Sequence, residues 1–563
     1  MTRSTTLAAA LAVASVAGAA AQELPRTHAP RPTTAAISAA DLMTRLYVLA
    51  DDSMMGREAG TPGNVKGTRY VAAQFRAIGL RPMGDNGTFF QTVPLVSRGL
   101  HPGARISVDG TALQIGRDYL PVTGLGQYTF SPMLAAQNAP VVFGGRIGGQ
   151  MLPAEQARGK FVVVLPPTGQ DGADDWRWWR SVAVQTYPGA VGIAVASLDV
   201  TPAGLLDRLL EPQVEIASED EQPTTAAPAV IVTRAAAERM LGKPLASAAV
   251  GDAGKTVGGD YRYAATPVAA PARNVIGVLP GSDPALRGQY VVISAHNDHE
   301  GILSAAVDHD SVRAYNRVIR PQGANDPVRT PTPEQAARIA ALRDSLRRVH
   351  GGVRRDSIMN GADDDGSGTV TLLEIAQSIA AGPRPRRSIL FMSHTGEEKG
   401  LYGSEWFTDH PTVPRDSIVT DLNMDMVGRG RAEDVAHGGP WSIQMIGSSR
   451  LSTQLRGVID SLNAHRTNPM AIDWSFDAPG HPLNRYCRSD HFMYARYGIP
   501  ITYFSTGYSV DYHMPSDEPQ YIDYEHMARV GAWVRDIALA VANRPQRLVV
   551  DGPRQDPNQP CRQ

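Results

Sequence analysis

The spacing of apolar positions changes along the chain, and each spacing predicts a different kind of element. Leu42, Leu46 and Leu49 share a helical face behind Ser38 and Asp41, which read as a capping box. A second helix is expected after the Gly60-Thr61-Pro62-Gly63 turn, with Val71, Phe75 and Ile78 on one side and Gly79 as its stop. From about Ser97 to Tyr263 the texture turns to short apolar runs among glycines. Val141 to Phe143, Phe161 to Leu165 and Gly189 to Val195 read there as strands of a separate, mostly β module. After the Ala/Pro-rich linker from Thr266 to Ala272 the order becomes strand, loop, helix. Strands are predicted at Tyr290 to Ser294, Ser388 to Met392 and Gly498 to Phe504, with a helix over Thr369 to Ile379. Such alternation argues for an α/β three-layer sandwich with a mixed, largely parallel central sheet. Sites in sheets of this kind gather in the loops past the carboxyl ends of the strands.

The N-terminus reads as a processing signal. Arg3 precedes an apolar stretch from Leu7 to Val16, too short to span a bilayer, and Ala19-Ala20-Ala21 offers a cleavage site before Gln22. Export to the periplasm or beyond follows, and no later stretch reaches the length of a membrane span. At 563 residues the chain has room for two or more domains. A formal net charge of −2, with no long basic or acidic run, gives no electrostatic reason to expect nucleic acid or a membrane surface as partner. Only Cys487 and Cys561 could form a disulfide. A buried thiol at 487 and an unpaired one in a frayed tail is the preferred reading, with a bridge as the alternative.

Chemistry enters where the predicted strands end. His296 and Asp298 follow the first strand, at a spacing that lets imidazole bind a metal while the carboxylate orients it. Asp363, Asp364 and Asp365 crowd a glycine-rich turn before a helix, a repulsion that needs a cation or full solvation. An EF-hand loop is excluded because the side chains do not alternate and no closing glutamate is present. Glu397-Glu398 follows the Ser388 strand, Asn423-Met424-Asp425 a short apolar segment, and Asp511-Tyr512-His513 the Phe504 strand. Each has a bland reading: surface glutamates, a helix N-terminal Asp364, a turn Asp425, a packed His513. Their succession in order is what chance explains badly. Two His, two Asp and at least one Glu suit zinc or another first-row divalent metal.

With these pieces on the page, the chain resembles the co-catalytic, binuclear zinc exopeptidases that include bacterial leucyl aminopeptidase and the glutamate carboxypeptidases. The likeness rests on Ala295-His296-Asn297-Asp298, on Gly361 to Gly368, on Glu397 to Ser404, on Asn423-Met424-Asp425 and on Tyr512 to Asp517. It implies that His296 and Asp425 bind one zinc, Glu398 and His513 the other, and that Asp364 bridges the two. It makes Glu397 the general base, has Asp298 orient His296, and offers Tyr512 as an oxyanion donor or a packing ring. The β module resembles a protease-associated domain, through Ala157 to Leu165 and Pro188 to Val195. Trp176, Trp178 and Trp179 in one of its loops read as local packing before substrate contact.

The implied organisation is a signal peptide over 1–21, a tether over 22–37 and a catalytic N-terminal part over 38–96. An insert follows over 97–265, then a catalytic domain over 266–545 and a tail over 546–563. Two departures from the resemblance stand out: a long charged insertion over 301–358, with Glu334 to His350 as its best helix, and His394 where a small residue is usual. The expected activity is release of N-terminal residues from peptides with two zinc ions per chain. A carboxypeptidase and a single-zinc glutaminyl cyclase are the alternatives, and a binding protein with a decayed site would lack ligands that are all present here.

Overall fold

The computed structural model describes residues 24–563 except 126–127, 170–171, 181–183, 218–225, 431–434 and 436, so the leader read at residues 1–21 lies outside the described residues. Strand Tyr290–His296 lies between Ser388–His394 and Ile418–Met424, parallel to both, and Ile501–Ser505 continues the parallel set. Both faces of these strands are buried, which is why their sequences are nearly continuous apolar runs. Outward the pairing turns antiparallel, with Ala272–Leu279 beside Ser388–His394 and Ser442–Ile446 beside Ile501–Ser505. The sheet is therefore mixed, parallel at its centre and again at one edge, where Ala471–Asp473 runs parallel to Ser442–Ile446. Ala272–Leu279 arrives from a second sheet, without the helical crossover that a parallel neighbour needs.

Helices Ala39–Leu49, Pro62–Ile78, Gly368–Ala381 and Tyr524–Asn543 cover one face of the sheet around Leu46, Phe75, Phe391 and Trp533. Tyr402–Asp409 and His491–Ala495 cover the other around Met392, Phe407 and Tyr494. Ser38 caps its helix as expected, accepting from the Asp41 N–H at 3.1 Å. The Asp41 carboxylate turns instead to Thr34, accepting from its N–H and hydroxyl at 2.9 and 2.8 Å, so only half of the capping box forms. Gly79 ends the second helix in the left-handed region at φ 87°.

A ten-stranded sheet is built from residues 95–267, with a parallel centre of Met133–Arg146, Phe161–Leu165, Gly192–Val195 and Ala229–Val232. Trp178 is buried in its core with its ring centroid 5.9 Å from that of Phe130, Trp179 packs edge-on against it, and Trp176 packs edge-on against Trp179. That is local packing. Residues 301–358 form a two-stranded ribbon, Ile302–Asp308 with Arg355–Ile358, and two helices, His309–Ile319 and Pro333–His350.

The cysteines correct the expectation of free thiols: Cys487 and Cys561 are bridged, with Cα atoms 5.7 Å apart. The tail is not frayed. Gln563 accepts from the Tyr486 N–H at 3.1 Å, and its own backbone carbonyl accepts from the Gly480 N–H at 3.0 Å, which brings Cys561 to its partner. Among the described residues no helix is long and apolar enough to cross a membrane.

Candidate functional site

The five segments singled out in the sequence converge at the carboxyl end of the parallel strands. His296 closes its strand, Glu397 and Glu398 lie just past Ser388–His394, Asp425 follows Ile418–Met424, and His513 follows Ile501–Ser505. Asp364 sits between the two imidazoles: its Oδ1 is 3.1 Å from His296 Nε2 and its Oδ2 2.9 Å from His513 Nε2. Asp425 Oδ1 is 3.6 Å from His296 Nε2, and Glu398 Oε2 is 3.0 Å from His513 Nε2. Two groups of potential metal ligands result, His296 with Asp364 and Asp425, and Asp364 with Glu398, His513 and His299. They share Asp364.

The three adjacent aspartates divide three tasks that the sequence could not apportion. Asp363 accepts from the Gly428 N–H at 2.8 Å. Asp365 accepts from the N–H groups of His296, Gly368 and Met426 at 3.1, 2.9 and 3.2 Å, tying the strand end, the helix start and the Asp425 loop together. Only Asp364 faces the histidines. Behind the turn, Asp517 accepts from the N–H groups of Asp363 and Asp364, and Arg429 Nη2 lies 3.2 Å from Asp517 and 3.1 Å from Asp511. Arg57, also buried, donates to the carbonyl oxygens of Leu49, Asn297, Asn360 and Gly361. One guanidinium thus ties the residue after His296 to the start of the turn that carries Asp364.

Asp298 meets His296 through both its main chain and its carboxylate. His296 Nδ1 donates to the main-chain oxygen of Asp298 at 3.1 Å, while the nearer carboxylate oxygen is 3.7 Å away. That same carboxylate oxygen accepts from the Glu397 N–H at 3.2 Å, so Asp298 holds the backbone of the glutamate pair. His394 packs: its Nε2 lies 3.0 Å from Tyr494 Oη, and burial pulls its imidazole down to about 3, leaving it neutral.

The electrostatics separate the two glutamates. Burial raises the Glu397 carboxyl well above the usual range against the pull of His296, and Asp425 and Glu398 add to the rise. Burial and Asp364 act upward on Glu398 too, but His513 and His299 outweigh them and hold it at about 2. Burial works to lower the His296 imidazole, yet Glu397, Asp298, Asp364 and Asp425 hold it well above its ordinary value. A pocket that draws positive charge so strongly is one that a cation fits. Three of its buried atoms, His296 Nε2, Asp425 Oδ1 and His513 Nε2, have no hydrogen-bond partner, and the His/Asp/Glu donor set is that of zinc.

The cavity beside these ligands is lined by Glu397, Tyr503, Tyr508, Tyr512, Arg485 and Arg488 among others. Tyr512 stacks on His513 with ring centroids 3.9 Å apart, and burial raises its phenol well above its ordinary value, so it stays a hydroxyl donor. Sequence reasoning missed His299, whose Nδ1 is 2.7 Å from Glu398 Oε1, and the two arginines. The signal for His299 was a second imidazole three positions after the first. Nothing marked the arginines. The insertion reaches the site as well: Arg313 Nε pairs with Asp511 at 3.1 Å, Asn316 donates to the Val510 oxygen, and the Ala324 N–H donates to the Tyr512 oxygen at 3.0 Å.

Residues 330–538 match the model of Peptidase family M28. Among curated relatives, aminopeptidase NAALADL1 of Rattus norvegicus is 41% identical over 100 residues, which is 17% of this chain and 13% of that protein. A probable zinc metalloprotease of Pyrenophora teres f. teres is 26% identical over 206 residues, 33% of this chain and 41% of that protein. The chain thus spans less than half the length of each of these relatives. Among solved structures, a zinc aminopeptidase from Bacillus subtilis is similar at 16% identity and a TM-score of 0.47, covering 92% of this chain and 98% of that one.

Proposed function

For a chain that carries a Peptidase M28 domain, we propose an exported binuclear zinc exopeptidase that releases N-terminal residues from peptides. The observation that carries this reading is the pair of ligand groups joined at Asp364. His296 and Asp425 would hold one zinc, Glu398 and His513 the second, with Asp364 between them and His299 supporting Glu398. When bound, the two ions supply Lewis acidity for the scissile carbonyl and a nucleophile at neutral pH.

The chain's own groups do the rest. Glu397, beside the ligands and unprotonated once cations offset its acidic neighbours, takes the proton of the attacking water and returns it to the leaving amine. Asp298 keeps the Glu397 main chain in place. Tyr512 donates a hydrogen bond where negative charge develops on the carbonyl oxygen. The leader read at residues 1–21 gives export, with which the Cys487–Cys561 bridge is consistent. The sheet of residues 95–267 is read as a protease-associated domain limiting access to the cavity.

A carboxypeptidase of the same family is the second reading, favoured by one observation. Arg485 and Arg488 line the cavity, and Arg485 Nε and one terminal nitrogen are buried without hydrogen-bond partners, which suits a substrate carboxylate. The deciding experiment is release of free amino acid from unblocked and N-acetylated dipeptides and tripeptides, by wild type and by Glu397→Ala. Cleavage of unblocked peptides alone, abolished in the variant while zinc is retained, supports the aminopeptidase. Equal cleavage of blocked peptides moves the assignment to a carboxypeptidase, and no hydrolysis of either rejects the proposal.

A further inference from the structure

A separate cluster of metal-binding side chains lies inside the insertion. His309 opens the helix His309–Ile319, Asp310 follows it, and His350 closes the helix Pro333–His350. His309 and Asp310 are fully buried, and the His350 side chain is 8% exposed. His309 Nδ1 is 3.0 Å and His350 Nδ1 2.7 Å from the same atom, Asp310 Oδ1. The second oxygen, Oδ2, is buried with no hydrogen-bond partner.

A purely hydrogen-bonded arrangement explains this poorly. Two imidazole N–H groups can share the two lone pairs of one carboxylate oxygen, but the other oxygen is then left buried and unpaired, which is costly. Convergence of two ring nitrogens and one carboxylate oxygen on a small volume is instead what a divalent ion collects around itself. The outer ring nitrogen of His309 supports this. His309 Nε2, buried and without a hydrogen-bond partner, lies 3.2 Å from Glu518 Oε2, a carboxylate within reach of its N–H when Nδ1 holds a metal. Glu518 is itself hydrogen-bonded, to Arg354 Nη1 at 2.8 Å and to Gln520. The ring of His309 also stacks on Tyr521, with centroids 6.0 Å apart.

We propose that His309, Asp310 and His350 form a further divalent metal site, for zinc or a similar first-row ion, separate from the cluster around Asp364. Two imidazoles and one carboxylate leave a fourth position for water. The ion would clamp the start of one insertion helix to the end of the other. Through Glu518 it would brace the segment that also carries His513 and Asp517, so its role is to hold the insertion against the cavity wall.

The test is the zinc content of the full-length chain, purified with zinc and then desalted, for wild type and His350→Ala. His350 is the least buried of the three ligands, so its loss disturbs packing least. A drop of one zinc per chain supports the site, and equal contents overturn it, however many ions the Asp364 cluster holds. If the variant does not fold, anomalous scattering at the zinc edge from wild-type crystals grown with zinc decides. A peak between His309 Nδ1, Asp310 Oδ1 and His350 Nδ1 sustains the proposal, and a map with no peak there rejects it.

Discussion

Replacing Arg57 with Met should disable the site from a distance. Arg57 Nε donates to Asn297 O at 3.1 Å, Nη1 to Leu49 O and Asn360 O at 3.0 and 2.7 Å, and Nη2 to Gly361 O at 2.8 Å. These charge-assisted bonds hold a turn in which Met55, Gly56 and Arg57 are all left-handed, at φ 56°, 65° and 50°. Gly56 is obligatory there, since a Cβ would meet the Gly301 oxygen at 2.1 Å. Methionine keeps the apolar stem of the side chain but leaves four carbonyls without this donor, of which, among the described residues, only Gly361 O keeps another, the Gly366 N–H at 3.1 Å. At roughly 1–3 kcal/mol for each buried acceptor left unpaired, reduced by relaxation and by non-additivity, the loss is on the order of 4 kcal/mol. His296 and Asp364 are also released from their fixed spacing, and loss of such support lowers metal affinity by about 10- to 100-fold. Urea unfolding of the metal-free protein and zinc-buffered titration measure the two effects separately. Arg57→Lys keeps the charge but not the fork, so it should recover only part of each. The reasoning fails if Arg57→Met unfolds within about 0.5 kcal/mol of wild type, an effect typical of an ordinary surface change.

Reducing the Cys487–Cys561 bridge, or changing both to Ser, frees a loop with a sequence separation of 74. The chain-entropy relation gives about 4 kcal/mol for a loop of that length, so the denaturation midpoint should drop, and an unchanged midpoint would contradict this. Burial raises the Glu374 carboxyl to about 7 against the pull of Arg45. The folded state therefore holds a proton between about pH 4.5 and 7 that the unfolded state has lost, and stability declines as pH rises through that window. Thermal midpoints of Glu374→Gln should lack this decline, and parallel profiles for the two proteins would remove the argument. Arg488 donates to Asn325 at 3.1 Å and lines the cavity. If it meets substrate carboxylate, Arg488→Ala raises KM for free dipeptides and leaves KM for their C-terminal amides unchanged.

Much of the candidate site was legible because its His, Asp and Glu residues lie next to strands whose apolar runs announce them. Tyr290–His296 and Ser388–His394 deliver His296 and the glutamate pair directly. What the sequence left open depended on polar contacts, which carry no period. Helix His309–Ile319 went unpredicted because it is seated through Arg313 and Asn316 and not through an apolar stripe. The three aspartates look alike until the backbone N–H groups around Asp363 and Asp365 are placed. The disulfide depends on where the last residues dock, and no local pattern encodes that.

The ten-stranded sheet joins the first one at a single rung. The chain leaves strand Phe90–Val93 and returns in Ala272–Leu279, and Val93 and Ala272 are register partners in that sheet. Exit and return are therefore neighbours, and the first sheet has the same topology whatever lies between them. The intervening body can be exchanged or excised as a cassette, with a short turn closing the gap, without rewiring any strand that carries a ligand. Ala59, Val93, Leu95 and Ala272 make a small apolar collar at that junction. Evolution could vary the outer body while leaving the strands that lead to His296, Glu397 and Asp425 untouched.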